Sequence, residues 1–73
     1  MILLGEDELK LLDYICRNPK VAVEELLEGF CREAGVERAR ARRMLRALER
    51  AGKVRIVVTE GYRYHAEPTE CRA

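Results

Sequence analysis

A chain of 73 residues holds one small domain, and at this size only roughly 60% of the unfolded surface can be buried, which excludes a second core. The formal charge of +1 hides a division: residues 1–37 carry four basic and nine acidic side chains, residues 38–73 ten basic and four acidic. No apolar run approaches the ~18 residues of a membrane span, and Met1-Ile2-Leu3-Leu4 is too short for a signal peptide, so a soluble, cytoplasmic protein with no membrane partner is expected.

There is no serine, a single histidine and no clustered ligand set. A nucleophile–base pair or a metal site cannot be assembled from such residues, so neither catalysis nor a cofactor nor a metal is expected. Cys16, Cys31 and Cys71 are odd in number and too widely spaced for a zinc pattern. Cys16 and Cys31 read as small apolar residues on helices, Cys71 as a thiol in a polar tail, open to pairing between molecules. Eleven arginines against three lysines, with 37% charged residues, suit a thermophile.

In chain order, Glu6, Asp7 and Glu8 mark a helix N-terminus. Leu9, Leu12 and Cys16, with Ile15 beside them, form its apolar stripe, and Asn18-Pro19 ends it. Lys20 to Val23 is a short β-branched stretch suited to a third strand beside a hairpin. A second helix follows from Val23, with Leu26, Leu27, Phe30 and Ala34 on its apolar side and Gly29 inside it at a cost of up to ~1 kcal/mol relative to alanine. Gly35 supplies a left-handed cap and Val36 a plug into the core before a third helix, Glu37 to Ala51, closed by Gly52.

Residues 54–66 read as a β-hairpin. Val54, Ile56 and Val58 share a face with Tyr62, Tyr64 and Ala66 if Thr59-Glu60-Gly61 is a three-residue loop with Gly61 left-handed, which makes the tyrosines core residues. Arg55, Val57, Arg63 and His65 then point outward. The ordered core is expected over about residues 6–66, with a frayed polar tail at 67–73.

The third helix carries the functional signal. Arg38, Arg40, Arg42, Arg43, Arg46 and Arg50 stand against one acid, Glu49, while Ala41, Met44, Leu45 and Leu48 keep a separate face. Arg43, Arg46 and Arg50 face outward, flanked by Arg42 on one side and Arg40 on the other. Arg38, Arg42, Arg46 and Arg50 are also a continuous i, i+4 row of like charge, each pair of which opposes the helix by about 0.2–0.5 kcal/mol. A polyanion would relieve that repulsion. The bland reading is a solvated face, or one neutralised by acids of the first two helices.

Helix, glycine, hairpin is the order of a winged helix-turn-helix. The stretch from Val36 to Val54 resembles the third helix of such domains in prokaryotic transcriptional regulators, archaeal or thermophilic ones included. Val36, Arg43, Leu45, Leu48, Glu49, Gly52 and Val54 match in register, and Val23-Glu24-Glu25-Leu26 looks like the family's second-helix opening. The chain departs from the pattern at Glu37 and Ala22, where hydroxyl N-caps are usual, and at Arg40, where a phosphate-touching threonine is common.

The resemblance implies an α+β fold of three helices and a β-hairpin wing, and binding of double-stranded DNA as a small regulator. Arg38, Arg42, Arg43 and Arg46 would meet the major groove, Ala39 a thymine methyl, and Arg63 with Arg55 the backbone or minor groove, with Arg40 and Arg50 completing the DNA-binding set. Such regulators often bind as homodimers; the first helix or residues 1–4 would supply the apolar contact. Two alternatives stay open: RNA as the polyanion, and a protein-interaction module docking a protein partner through the acidic helices or the hairpin edge.

Overall fold

A computed structural model describes residues 4–59, 61 and 63–71. Three helices, α1 (Glu6–Arg17), α2 (Val23–Ala34) and α3 (Arg38–Arg50), precede two antiparallel strands, β1 (Val54–Thr59) and β2 (Arg63–Pro68), in the layout of a winged helix. No helix among the described residues is long and apolar enough to cross a membrane.

Each helix end has a local cause. The Gly5 N–H donates to Glu8 Oε1 at 3.1 Å and caps α1, while Ala22 and Glu37 cap α2 and α3 without a side-chain hydrogen bond. At the end of α3, Gly52 takes φ 74°; its N–H donates to the Glu49 carbonyl and that of Lys53 to Leu48. This Schellman closure needs the left-handed conformation that glycine adopts without a Cβ clash. Gly35 ends α2 in the same way, both its N–H and that of Val36 reaching the Cys31 carbonyl.

The core draws Leu11 and Ile15 from α1, Leu26, Leu27 and Phe30 from α2, Ala41, Met44, Leu45 and Leu48 from α3, and Val54 and Ala66 from the hairpin. In α1 the buried face differs from the expected stripe. Leu11 and Ile15 are fully buried, Leu12 and Cys16 partly, and Leu9 is 50% exposed. The reason is Tyr14, which belongs to the same apolar arc and docks edge-on to Phe30 with centroids 5.7 Å apart. With Tyr14 on one side and Leu12 on the other, the middle of the arc falls on Leu11 and Ile15, and Leu9 is turned to solvent. Ala34, expected on the apolar side of α2, is exposed.

Gly29 faces the Tyr14 hydroxyl so closely that a β-carbon there would overlap it. The helix therefore carries glycine at this position for packing, against its low helical propensity.

The strands pair with Ile56 opposite Ala66, Val58 opposite Tyr64 and Thr59 opposite Arg63. The expected register is thus shifted by two residues, Thr59 pairing with Arg63 instead of opening the loop. Thr59 Oγ1 donates to the Arg63 carbonyl at 3.1 Å across the closing pair, and Gly61 has φ 81°. A shift of two preserves the alternation of faces. Val54 and Ala66 are buried and Ile56 packs on the core, but Val58 is 56% and Tyr64 54% exposed, and Tyr64 lines an open cleft between the hairpin and α2 and α3. Tyr64 is not a core residue; Tyr62, like residues 1–3, lies outside the described residues. His65, expected to point outward, is only 14% exposed in its side chain. Ala22 forms an isolated antiparallel bridge with it, the single residue through which the 20–23 stretch joins the sheet.

Of the tail expected to fray, residues 67–71 are anchored. Thr69 N–H donates to the Lys53 carbonyl at 2.9 Å, and its hydroxyl lies 2.9 Å from the Gly52 carbonyl. Cys71 forms a disulfide with Cys16 of α1 (Cα–Cα 5.9 Å), leaving Cys31 free and partly buried. The two cysteines expected to be, respectively, an apolar helix residue and a tail thiol are therefore partners. Their spacing of 55 residues gives no sequence cue for the pairing.

Candidate nucleic-acid interface

The third helix sits with Ala41, Met44, Leu45 and Leu48 buried against α1, α2 and the hairpin. At about 100° per residue the direction opposite this face is occupied by Ala39, Arg43, Arg46 and Arg50, which share an arc of roughly 60°. All four are exposed. Arg38 and Arg42 flank this row on the α2 side, and Arg40 flanks it on the α1 side.

The flanks and the row differ in what surrounds them. Arg42 Nη2 donates to both carboxylate oxygens of Glu24, at 2.8 and 3.1 Å. Arg38 Nη2 lies 3.8 Å from Glu24 and 3.7 Å from Glu28, and donates to the Glu24 carbonyl at 3.4 Å. On the other flank Arg40 pairs with Asp7 of α1. Arg43, Arg46 and Arg50 make no ion pair with any described residue. The charge row Arg38–Arg42–Arg46–Arg50 is thus interrupted by acids of α2 over its first half, and the free cations run along the outward line instead.

This division follows from geometry. Arginines on the flanks of a docked helix point along the neighbouring helices, whose first turns carry the acids that suit a helix N-terminus: Glu6, Asp7 and Glu8 in α1, Glu24 and Glu25 in α2. Arginines on the outward line have no neighbouring element to reach. All of these pairs are exposed, so each contributes at most about 1 kcal/mol to stability.

On the hairpin, Arg63 is exposed and unpaired among the described residues, whereas Arg55 lies 3.8 Å from Glu67 on the opposite strand. A cleft of about 790 Å³ separates the hairpin from α3 and the start of α2; Leu27, Leu45 and Ile56 line it, with Arg42, Arg46, Arg63, Glu24, Glu25 and Glu49 around it. Its charge is mixed, in contrast to the outward line.

Of the nine residues expected at the interface, Ala39, Arg43, Arg46 and Arg50 form one continuous exposed row, and Arg63 stands on the adjoining hairpin. Arg38, Arg40, Arg42 and Arg55 are held in ion pairs within the molecule. The partners that hold them, Asp7, Glu24, Glu28 and Glu67, are not legible as such, since separations of 10 to 33 residues leave no periodic signal. Among the described residues no group of three His, Cys, Asp or Glu side chains is placed to hold a metal ion. Compared with known protein families, curated proteins and solved structures, the chain matches none.

Proposed function

We propose that this protein binds double-stranded DNA through the outward row of α3, with Arg63 of the hairpin as an auxiliary backbone contact, in the manner of a small winged-helix transcriptional regulator. The observation that carries this reading is the set of three arginines, without an ion pair among the described residues, on one line of a helix whose other three arginines are each paired. A fold that pairs Arg38, Arg40 and Arg42 with available acids leaves Arg43, Arg46 and Arg50 facing solvent at like-charge spacing, where they repel one another. A phosphate backbone relieves that repulsion. From Arg43 to Arg50 the row spans about 10 Å along the helix, and the ~12 Å width of a major groove admits a helix of this diameter.

The test is fluorescence anisotropy on a random-sequence duplex of about 25 base pairs across salt concentrations. Four neutralised phosphates give a log–log salt slope of about −3.6, or roughly a 150-fold loss of affinity between about 50 and 200 mM salt. The triple variant R43A/R46A/R50A should reduce that slope by about 2.7, and Arg63→Ala by about 0.9. A wild-type protein that fails to bind at the lowest salt, or a triple variant that binds as well as wild type, refutes the proposal. Single-stranded and duplex RNA competitors show which polyanion is preferred.

A second reading has one observation in its favour. Val58 and Tyr64 form an exposed apolar cross-strand pair near the end of the hairpin, beside the mixed-charge cleft. That suits a protein partner. If duplex binding is absent while Tyr64→Ala disrupts an association of the protein in cells, the interaction-module reading replaces the first.

A further inference from the structure

Glu24 occupies an unusual place in the charge pattern. Its carboxylate accepts two hydrogen bonds from Arg42 and lies 3.8 Å from Arg38, so one acid of α2 engages two arginines of α3. Glu28, one turn further along α2, adds a contact to Arg38 at 3.7 Å and lies 3.8 Å from Arg32. Both arginines are about half exposed, and Glu24 and Glu28 more so.

We infer that Arg38 and Arg42 are a second, reserve set of phosphate contacts on the α2 side of the row, and that Glu24 controls their availability by competing with phosphate for the same guanidinium donors. The inference rests on the DNA-binding reading and adds to it the identity of the competitor. A carboxylate and a phosphate oxygen offer a guanidinium the same kind of charge-assisted hydrogen bond, so the two exchange directly. Exchange is feasible because these pairs are solvated and individually weak. It is incomplete in the native protein because Glu24 is tethered beside its donors, which gives it a high local concentration that phosphate has to overcome. Arg42 is held by two hydrogen bonds to one carboxylate, and Arg38 by the Glu24 carbonyl as well as by two more distant carboxylates. Loss of Glu24 charge therefore frees Arg42 entirely and Arg38 in part.

Glu25 supplies the matched control. It is the next residue of α2, exposed, with no ion pair to a described residue, and its neutralisation changes the net charge by the same amount. Wild type, Glu24→Gln, Glu25→Gln, R38A/R42A and the triple variant E24Q/R38A/R42A would be titrated with the same random duplex of about 25 base pairs over a range of salt. Glu24→Gln is expected to tighten binding by about three- to tenfold, with a salt slope steeper by about 0.9 to 1.8. Glu25→Gln should show the smaller gain of one charge removed at a distance, with an unchanged slope. In the R38A/R42A background, Glu24→Gln should give no more than the Glu25→Gln gain.

If wild type binds and Glu24→Gln equals Glu25→Gln in affinity and slope, the competitor role is overturned while the DNA-binding reading stands. A full Glu24→Gln gain that persists without Arg38 and Arg42 also overturns it, since the effect would then be general electrostatics. If neither wild type nor Glu24→Gln binds the duplex at low salt, the DNA-binding reading falls and takes this inference with it.

Discussion

Replacing Cys71 by alanine opens a covalent loop that encloses most of the described chain, from the last turn of α1 to the segment beyond β2. The two cysteines are 55 residues apart. In the chain-entropy treatment, closing a loop of about 55 residues removes roughly 14 cal/mol/K from the unfolded ensemble, which is about 4 kcal/mol at room temperature. That is a large part of the roughly 5–15 kcal/mol available to a native domain, and this chain lies near the small end. At about 4–8 °C per kcal/mol for a domain of this size, the melting temperature should fall by roughly 16–32 °C. Thr69 should still tie the strand end to Gly52 and Lys53 in the variant, so the native helical content is expected to persist at low temperature. Urea unfolding followed by circular dichroism measures the difference. Wild type treated with a reductant should move to the variant's curve, and the variant should ignore the reductant. Thiol titration of unfolded, unreduced protein should find one free thiol, that of Cys31. A variant within about 0.5 kcal/mol of oxidised wild type, or three free thiols in the unreduced protein, would refute the reasoning.

Other outcomes follow from packing. Gly29→Ala should destabilise the fold by about 1–3 kcal/mol despite a propensity gain of up to ~1 kcal/mol, because the new methyl group displaces Tyr14 from Phe30; in a Tyr14→Phe background, where the overlapping hydroxyl is gone, most of that loss should vanish. Denaturant melts of the four proteins of this cycle would show the coupling. Leu11→Ala should lower stability by about 2–5 kcal/mol, while Leu9→Ala should change it by less than about 0.5 kcal/mol; equal effects would mean that α1 buries a different face. In duplex titrations, Arg40→Ala should alter affinity far less than Arg43→Ala, since Arg40 is engaged with Asp7.

Much of the architecture can be read along the chain because its causes are local. Gly35, Gly52 and Gly61 sit at the left-handed positions their neighbours imply, and the 3.6-residue period of Ala41, Met44, Leu45 and Leu48 names the buried face of α3 without ambiguity. Alternation in Val54 to Val58 likewise sorts the hairpin faces even though the register is two residues off, since a shift of two leaves the faces unchanged. The outward placement of Arg43, Arg46 and Arg50 belongs to the same class of statement: it is the complement of an apolar stripe.

The tertiary structure decides whatever depends on which distant groups meet. In α1 two apolar stripes compete, and only the docking of Tyr14 against Phe30 and Gly29 selects Leu11 and Ile15 over Leu9. Tyr64 alternates onto the same face as buried Ala66, yet it is exposed because an open cleft separates it from α2 and α3. Cys16 and Cys71 carry no mutual signal in sequence and meet because the end of β2 returns to the last turn of α1. The arginines show the division most plainly. Six of them crowd one helix, and helical periodicity gives the direction of each, but whether a guanidinium is free or held by an acid depends on how α1 and α2 pack beside it. Periodicity is a property of one element and survives any arrangement of the others; an ion pair needs two elements at one distance, which only the packed fold supplies.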